Sequence, residues 1–214
     1  TPSLTGLTVR KNHMFNVADE GLENPAFLFF WDGEQKPIQG EKHYSDILVQ
    51  ENSFHSLRNP NHHGASATLY NVQDLVFEDN LVYDIDGNGV TDKDDGFRNT
   101  YRNNLVYGCT RGLVLANQNT QGNISVHHNL IHDCETALVL GWQPGYLKDV
   151  VVHHNTLLGS LELGGVLSDN PEVSNINCYG NIIGDGKGVP YQVIPVADGD
   201  TYTYPSYVRN PLDD

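Results

Sequence analysis

Acidic side chains crowd into one short stretch of the chain. Asp84, Asp86, Asn88, Asp92, Asp94 and Asp95 fall within twelve residues, interrupted by Gly87 and Gly89. Hard oxygen donors at that density suit calcium, which takes about six to eight of them. A solvated acidic turn is the plainer alternative. Two cations, Lys93 and Arg98, stand beside the run. Histidines come in neighbouring pairs at His62-His63, His127-His128 and His153-His154. Imidazole is both a general base near neutral pH and a transition-metal ligand. His62 and His63, in a loop, are candidates for a base or a substrate contact. The only two tryptophans are Trp31 and Trp142. With Tyr70, Asn117 and Gln143 they offer aromatic faces for sugar rings and amides for sugar hydroxyls. The expected partner is a polysaccharide, and the competing role for these residues is to shield strand ends from water.

The elements that must carry these groups show up as a repeat. A short alternating segment ends on asparagine at Asn12, Asn52, Asn80, Asn104, Asn129, Asn155 and Asn181, and five of the six separations lie between 24 and 28 residues. Three residues before each anchor stand Val9, Val49, Phe77, Tyr101, Val126, Val152 and Cys178. Two residues after stand Met14, Phe54, Val82, Val106, Ile131, Leu157 and Ile183. Alternation of period two on both sides of the anchor reads as strand, corner, strand. Asparagine tolerates left-handed backbone better than most residues, so it is expected to form the corner and to bond to its equivalent one repeat away. A third strand follows in segments such as Ala67–Tyr70, Gly112–Leu115, Ala137–Leu140 and Gly165–Leu167. Strands this short, recurring at this interval, pair best in parallel with their equivalents in successive turns of a coil. Equivalent histidines, His127 with His153 and His128 with His154, then stand one strand spacing apart, at about 4.8 Å. A pair so spaced could hold a transition metal or simply stack.

The same register puts Cys109 and Cys134 into an interior slot with Val17, Leu57 and Ile85. Three cysteines without a C-x-x-C pair describe neither a disulfide framework nor a zinc ribbon, so buried thiols are expected. Twelve basic against 27 acidic residues leave a net charge of −15. That charge repels phosphate backbones and anionic lipid, which excludes nucleic acid and membrane surfaces as partners.

This pattern, over roughly Leu4 to Ile183, resembles the right-handed parallel β-helix of pectate lyases, other polysaccharide lyases, some glycoside hydrolases and phage tailspikes. The resemblance implies an all-β, single-stranded right-handed solenoid of about seven turns. It also implies a carbohydrate-active protein, polysaccharide lyase-like or, with paired carboxylates such as Asp92 and Asp95, a glycoside hydrolase. In lyases of this kind a cation offsets the substrate's carboxylate and a lysine or arginine removes the adjacent proton, roles that would fall to Lys93 or Arg98. The run from Asp84 to Asp95 in turn looks like the calcium loop of EF-hand and dockerin proteins. On that likeness Asp84, Asp86, Asn88, Asp92 and Asp95 supply side-chain oxygens, Val90 its carbonyl, and Gly89 the sharp turn. Position twelve is Asp rather than Glu, and strand rather than helix follows it.

Residues 1–189 are therefore expected to form the β-helix and 190–214 a non-repeat extension that covers one end. Ends without capping helices leave room for further domains or self-association. A secreted or cell-surface location fits the composition. A non-catalytic glycan-binding or adhesive module and a structural spacer are the alternatives to an enzyme.

Overall fold

A computed structural model of the chain describes residues 4–18, 25–30, 44–59, 64–116, 120–141, 145–163, 172–184 and 191–193. Every regular element among them is a strand. One sheet stacks Leu4–Thr5 and Thr8–Arg10, then Tyr44–Gln50, Val72–Glu78, Thr100–Arg102, Thr120–His127, Tyr146–His153 and Glu172–Tyr179, and it forms the first face of a coil. The second face begins after each asparagine and the third follows it. In two turns these last two faces run on as single bent strands, Leu81–Lys93 and Leu105–Ala116. Pairings are parallel throughout and join each strand to its equivalent one turn away, as in Leu105↔Leu81 and Leu105↔Leu130. Seven levels stack on the first face, five of them with a neighbour on both sides. The all-β parallel solenoid is thus the architecture of the chain.

Details differ from expectation at three places. The left-handed residue at the corner is the one before the asparagine: Lys11, Glu51, Asp79, Asn103, His128 and His154 have φ between 52° and 57°. The asparagine itself is turned inward to hydrogen-bond. Segment 165–167 lies outside the described residues, and Ser160–Leu163 supplies the third face at that level. Tyr191–Val193 pairs in parallel with Leu161–Leu163, so the ladder continues past residue 189.

Inward positions build one continuous core. Val49, Phe77, Tyr101, Val126 and Val152 form one buried column, and Leu69, Leu115 and Leu140 part of another. Cys109 and Cys134 are buried free thiols in the slot of Leu57 and Ile85. At the corner the asparagines form an unbroken chain of amides. Asn129, for example, donates from Nδ2 to Asn155 Oδ1 at 2.9 Å and to the Tyr101 carbonyl at 2.9 Å. Its own Oδ1 accepts from Asn104 N at 3.0 Å and Asn104 Nδ2 at 2.9 Å. The same links join Asn12 to Asn52, Asn52 to Asn80, Asn80 to Asn104 and Asn155 to Asn181. Backbone groups that leave the ladder at the corner would otherwise be buried without partners, and the amide meets them.

Candidate functional site

The residues of the acidic run do not gather round one point. The strand Leu81–Lys93 turns a corner at Asp84 (φ 57°) and Gly87 (φ 136°), and this separates its two ends. A side chain at Gly87 would also run into the Gly64 backbone of the next level. Asp84 stays outside: Arg58 Nη2 meets its two oxygens at 2.7 Å each, and Ser56 Oγ donates to it at 2.9 Å. The Arg58 guanidinium holds the Asp84 carboxyl below the usual range. Asp86 is half-buried, Asn88 donates inside its own strand to Thr91 Oγ1 at 2.9 Å, and Val90 points into the core. Asp95 Oδ1 accepts from the Thr120 amide at 3.2 Å. Among the described residues no three or more His, Cys, Asp or Glu side chains are arranged to hold one metal ion. The donor set assigned to calcium therefore does not fit a single cage.

Asp92 takes up the most unexpected position. It stands in the inward column between Leu69 and Leu115, and it is fully buried. Tyr101 Oη donates to its Oδ2 at 2.7 Å, Asn99 Nδ2 to the same oxygen at 2.9 Å, and Gln121 Nε2 to Oδ1 at 3.2 Å. Asn99 lies at the level between Leu75 and Ile124, where the column is otherwise aliphatic. Gly96 makes the room, because a Cβ there would collide with the carboxylate. Burial raises the Asp92 carboxyl to about 6, against the opposing pull of its donors. A carboxylate sealed in the core cannot meet a substrate, so it cannot form a catalytic pair with Asp95.

Lys93 and Arg98 are also committed. Lys93 Nζ donates to Tyr70 Oη at 3.2 Å and lies 5.1 Å over the Tyr70 ring, which packs in turn on Phe29. Arg98 grips Asp74 through Nε at 2.5 Å and Nη2 at 2.7 Å. Trp31, Asn117, Trp142, Gln143, His62 and His63 lie outside the described residues.

The structure brings together a surface that the sequence reading overlooked. Val82 points into the core, so Leu81 and Tyr83 point outward from the second face. Their equivalents form two columns along the coil axis. One holds Leu81, Leu105 and Leu130 in register. The other holds Phe15, His55, Tyr83, Tyr107 and His132, five rings in one stack. Successive ring centroids are 5.4, 4.5, 5.1 and 5.0 Å apart, with planes within 11° of parallel. Ring faces cover one another and the edges of the half-buried Tyr83 and Tyr107 lie at the surface, while the His55 nitrogens meet His13 Nε2 and Ser56 Oγ and His132 Nδ1 meets Asp133. The signal was present: the third residue after the anchor is aromatic in each of the first five repeats.

Round the asparagine corner, on the first face, a second exterior stack contains His127, His153 and Tyr179, at 4.8 and 5.1 Å. His128 stacks on His154 beside it at 5.4 Å.

Comparison with curated proteins found no match. A solved structure described as the complex structure of XylC with xylose is similar at a TM-score of 0.44 and 11% identity, covering 68% of this chain and 28% of that one. The chain thus spans under a third of the length of that protein. A family model described as the right handed beta helix region matches residues 34–157, which is more than half of the 214. Together with the parallel ladder and the asparagine corner, that match places the chain in the right-handed β-helix family.

Proposed function

We propose that this chain binds a neutral polysaccharide along the outward second face. The paired columns carry the reading: aliphatic Leu81, Leu105 and Leu130 run beside the edge-on aromatic row from Phe15 to His132. A pyranose has apolar C–H faces and a rim of hydroxyls. An aliphatic strip next to the hydroxyl-bearing edges of Tyr83 and Tyr107 offers both kinds of contact. The columns repeat once per turn, at about 4.8 Å, so the ligand best matched is itself a repeating chain. A net charge of −15 disfavours uronate polymers and favours neutral ones.

The observations support a binding module before a lyase. Lys93 and Arg98 are held by Tyr70 and Asp74, and Asp92 is sealed inside. Such a module would act where extended glycans are met, at a cell surface or outside the cell.

Affinity electrophoresis or calorimetry against a panel of neutral and uronate polysaccharides tests this. Neutral polymers are expected to bind, and the double substitution Tyr83→Ala, Tyr107→Ala should weaken binding at least about tenfold. The circular dichroism should stay that of a β-protein. Unchanged binding by the double variant would overturn the assignment of the surface. Release of unsaturated uronate ends would replace the module with a lyase.

A further inference from the structure

Two neighbouring levels carry the same unusual pair. His127 Nδ1 lies 2.8 Å from His128 Nδ1, and His153 Nδ1 lies 2.9 Å from His154 Nδ1. The rings of each pair stand nearly perpendicular, at 85° and 89°. His128 and His154 have left-handed backbone, at φ 56° and 52°, which swings the second ring of each pair to the side of the first. Stacking then fixes all four: His127 on His153 at 4.8 Å, His128 on His154 at 5.4 Å, and Tyr179 on His153 at 5.1 Å. At the same two slots the other levels carry Arg10-Lys11, Gln50-Glu51, Glu78-Asp79, Arg102-Asn103 and Tyr179-Gly180. The double pair is therefore confined to two turns.

We propose that these pairs form a surface site for a divalent transition-metal ion of tetragonal preference, Cu(II) or Ni(II), held by the two Nδ1 atoms of one pair. The separation of the nitrogens selects the metal. At metal–nitrogen bonds of about 2.0–2.1 Å, donors 2.8 and 2.9 Å apart subtend about 90° at the ion. That is the cis angle of a square-planar or octahedral centre, and imidazole suits both metals. Tetrahedral zinc would need the nitrogens about 3.4 Å apart. No third His, Cys, Asp or Glu converges on either pair among the described residues, so water fills the other positions. Within each pair one Nδ1 donates to the other, so ligation requires the donor imidazole to take its Nε2–H tautomer. The two pairs lie about one strand spacing apart. Two divalent ions at that distance repel even in water, and the second is expected to bind on the order of 100-fold more weakly.

His13 and His55 form another close imidazole pair, with Nε2 atoms 2.7 Å apart. The experiment therefore uses tag-free protein carrying His13→Ala. Cu(II) and Ni(II) are titrated calorimetrically, and the Cu(II) complex is examined by electron paramagnetic resonance. One strong site per chain is expected, with a tetragonal spectrum split by two nitrogens and with Ni(II) bound at least as tightly as Zn(II). His128→Ala or His154→Ala alone should leave the strong step within about twofold and remove the weak one. Both together should abolish binding while the far-ultraviolet dichroism is unchanged. Retained binding in the combined variant, or Zn(II) held more tightly than Ni(II), would overturn the proposal.

Discussion

Polar groups enter the interior of this solenoid in two different ways. At the corner, one residue type does the same thing level after level: each asparagine from Asn52 to Asn155 donates to the next amide and to a carbonyl of the preceding turn. Near Asp92 four different residues meet once, with Asn99, Tyr101 and Gln121 all donating to one carboxylate. The corner satisfies backbone groups that any turn of this shape must leave open. In the Asp92 cluster only Asn99 also serves the backbone, accepting from Leu75 N and donating to the Val72 carbonyl, while Asp92, Tyr101 and Gln121 meet through side chains alone, in columns that apolar residues fill elsewhere. A buried polar residue that serves the backbone can be repeated indefinitely. One that serves another side chain needs its partners in place at one level, and is worth little beyond it.

Substitutions can sharpen that contrast. Asn129→Ala should have the largest effect. It strips partners from the buried Asn104 amide and the Tyr101 carbonyl together, and about 4 kcal/mol of stability should be lost in urea unfolding. A loss under about 1 kcal/mol would mean that water replaces the amide and that the corner is not closed.

Asp92 governs the next effect, through pH. Its folded-state value of about 6 lies above the ordinary carboxylate value, so the folded state favours the neutral acid. Its contribution is complete below the unfolded value near 4 and is lost as pH rises through about 6. Thermal or urea unfolding should show on the order of 3 kcal/mol less stability at pH 8 than at pH 4 from this group alone, at about 1.4 kcal/mol per unit. Asp92→Asn should flatten that part of the profile. A slope that survives the substitution would assign it to other groups.

The smallest effect belongs to Asn12, at the first level. It donates to Asn52 but no earlier asparagine donates to it, and it is exposed. Asn12→Ala should cost less than about 1 kcal/mol. A loss equal to that of Asn129 would show that the ladder acts as a unit and not link by link.

Much of the fold could be read from residue spacing. The anchors from Asn12 to Asn181 do stack, and Cys109 does stand in the slot of Ile85. The left-handed residue stands one before the asparagine because asparagine's conformational tolerance and its hydrogen-bonding amide pull toward different positions. The corner uses the amide. The acidic run misled in another way. Asp84 to Asp95 match a calcium loop in spacing, yet the bend at Asp84 and Gly87 leaves Asp84 outside with Arg58 and turns Asp92 into the core. The aromatic row Phe15, His55, Tyr83, Tyr107 and His132 is legible at a fixed offset from the anchor, three residues on.

The sequence by itself determined the coil, its period, its corner and the inward columns, because each follows from local alternation repeated at a near-constant interval. Only the tertiary structure decided which polar residues face which way and whom they meet. Asp92 finds Tyr101 nine residues on and Gln121 twenty-nine residues on, and His127 finds His153 a full turn away. Those meetings depend on the bend at Asp84 and Gly87 and on the vertical register of the turns. They are fixed by backbone pairing across turns, which the local order of residues does not express.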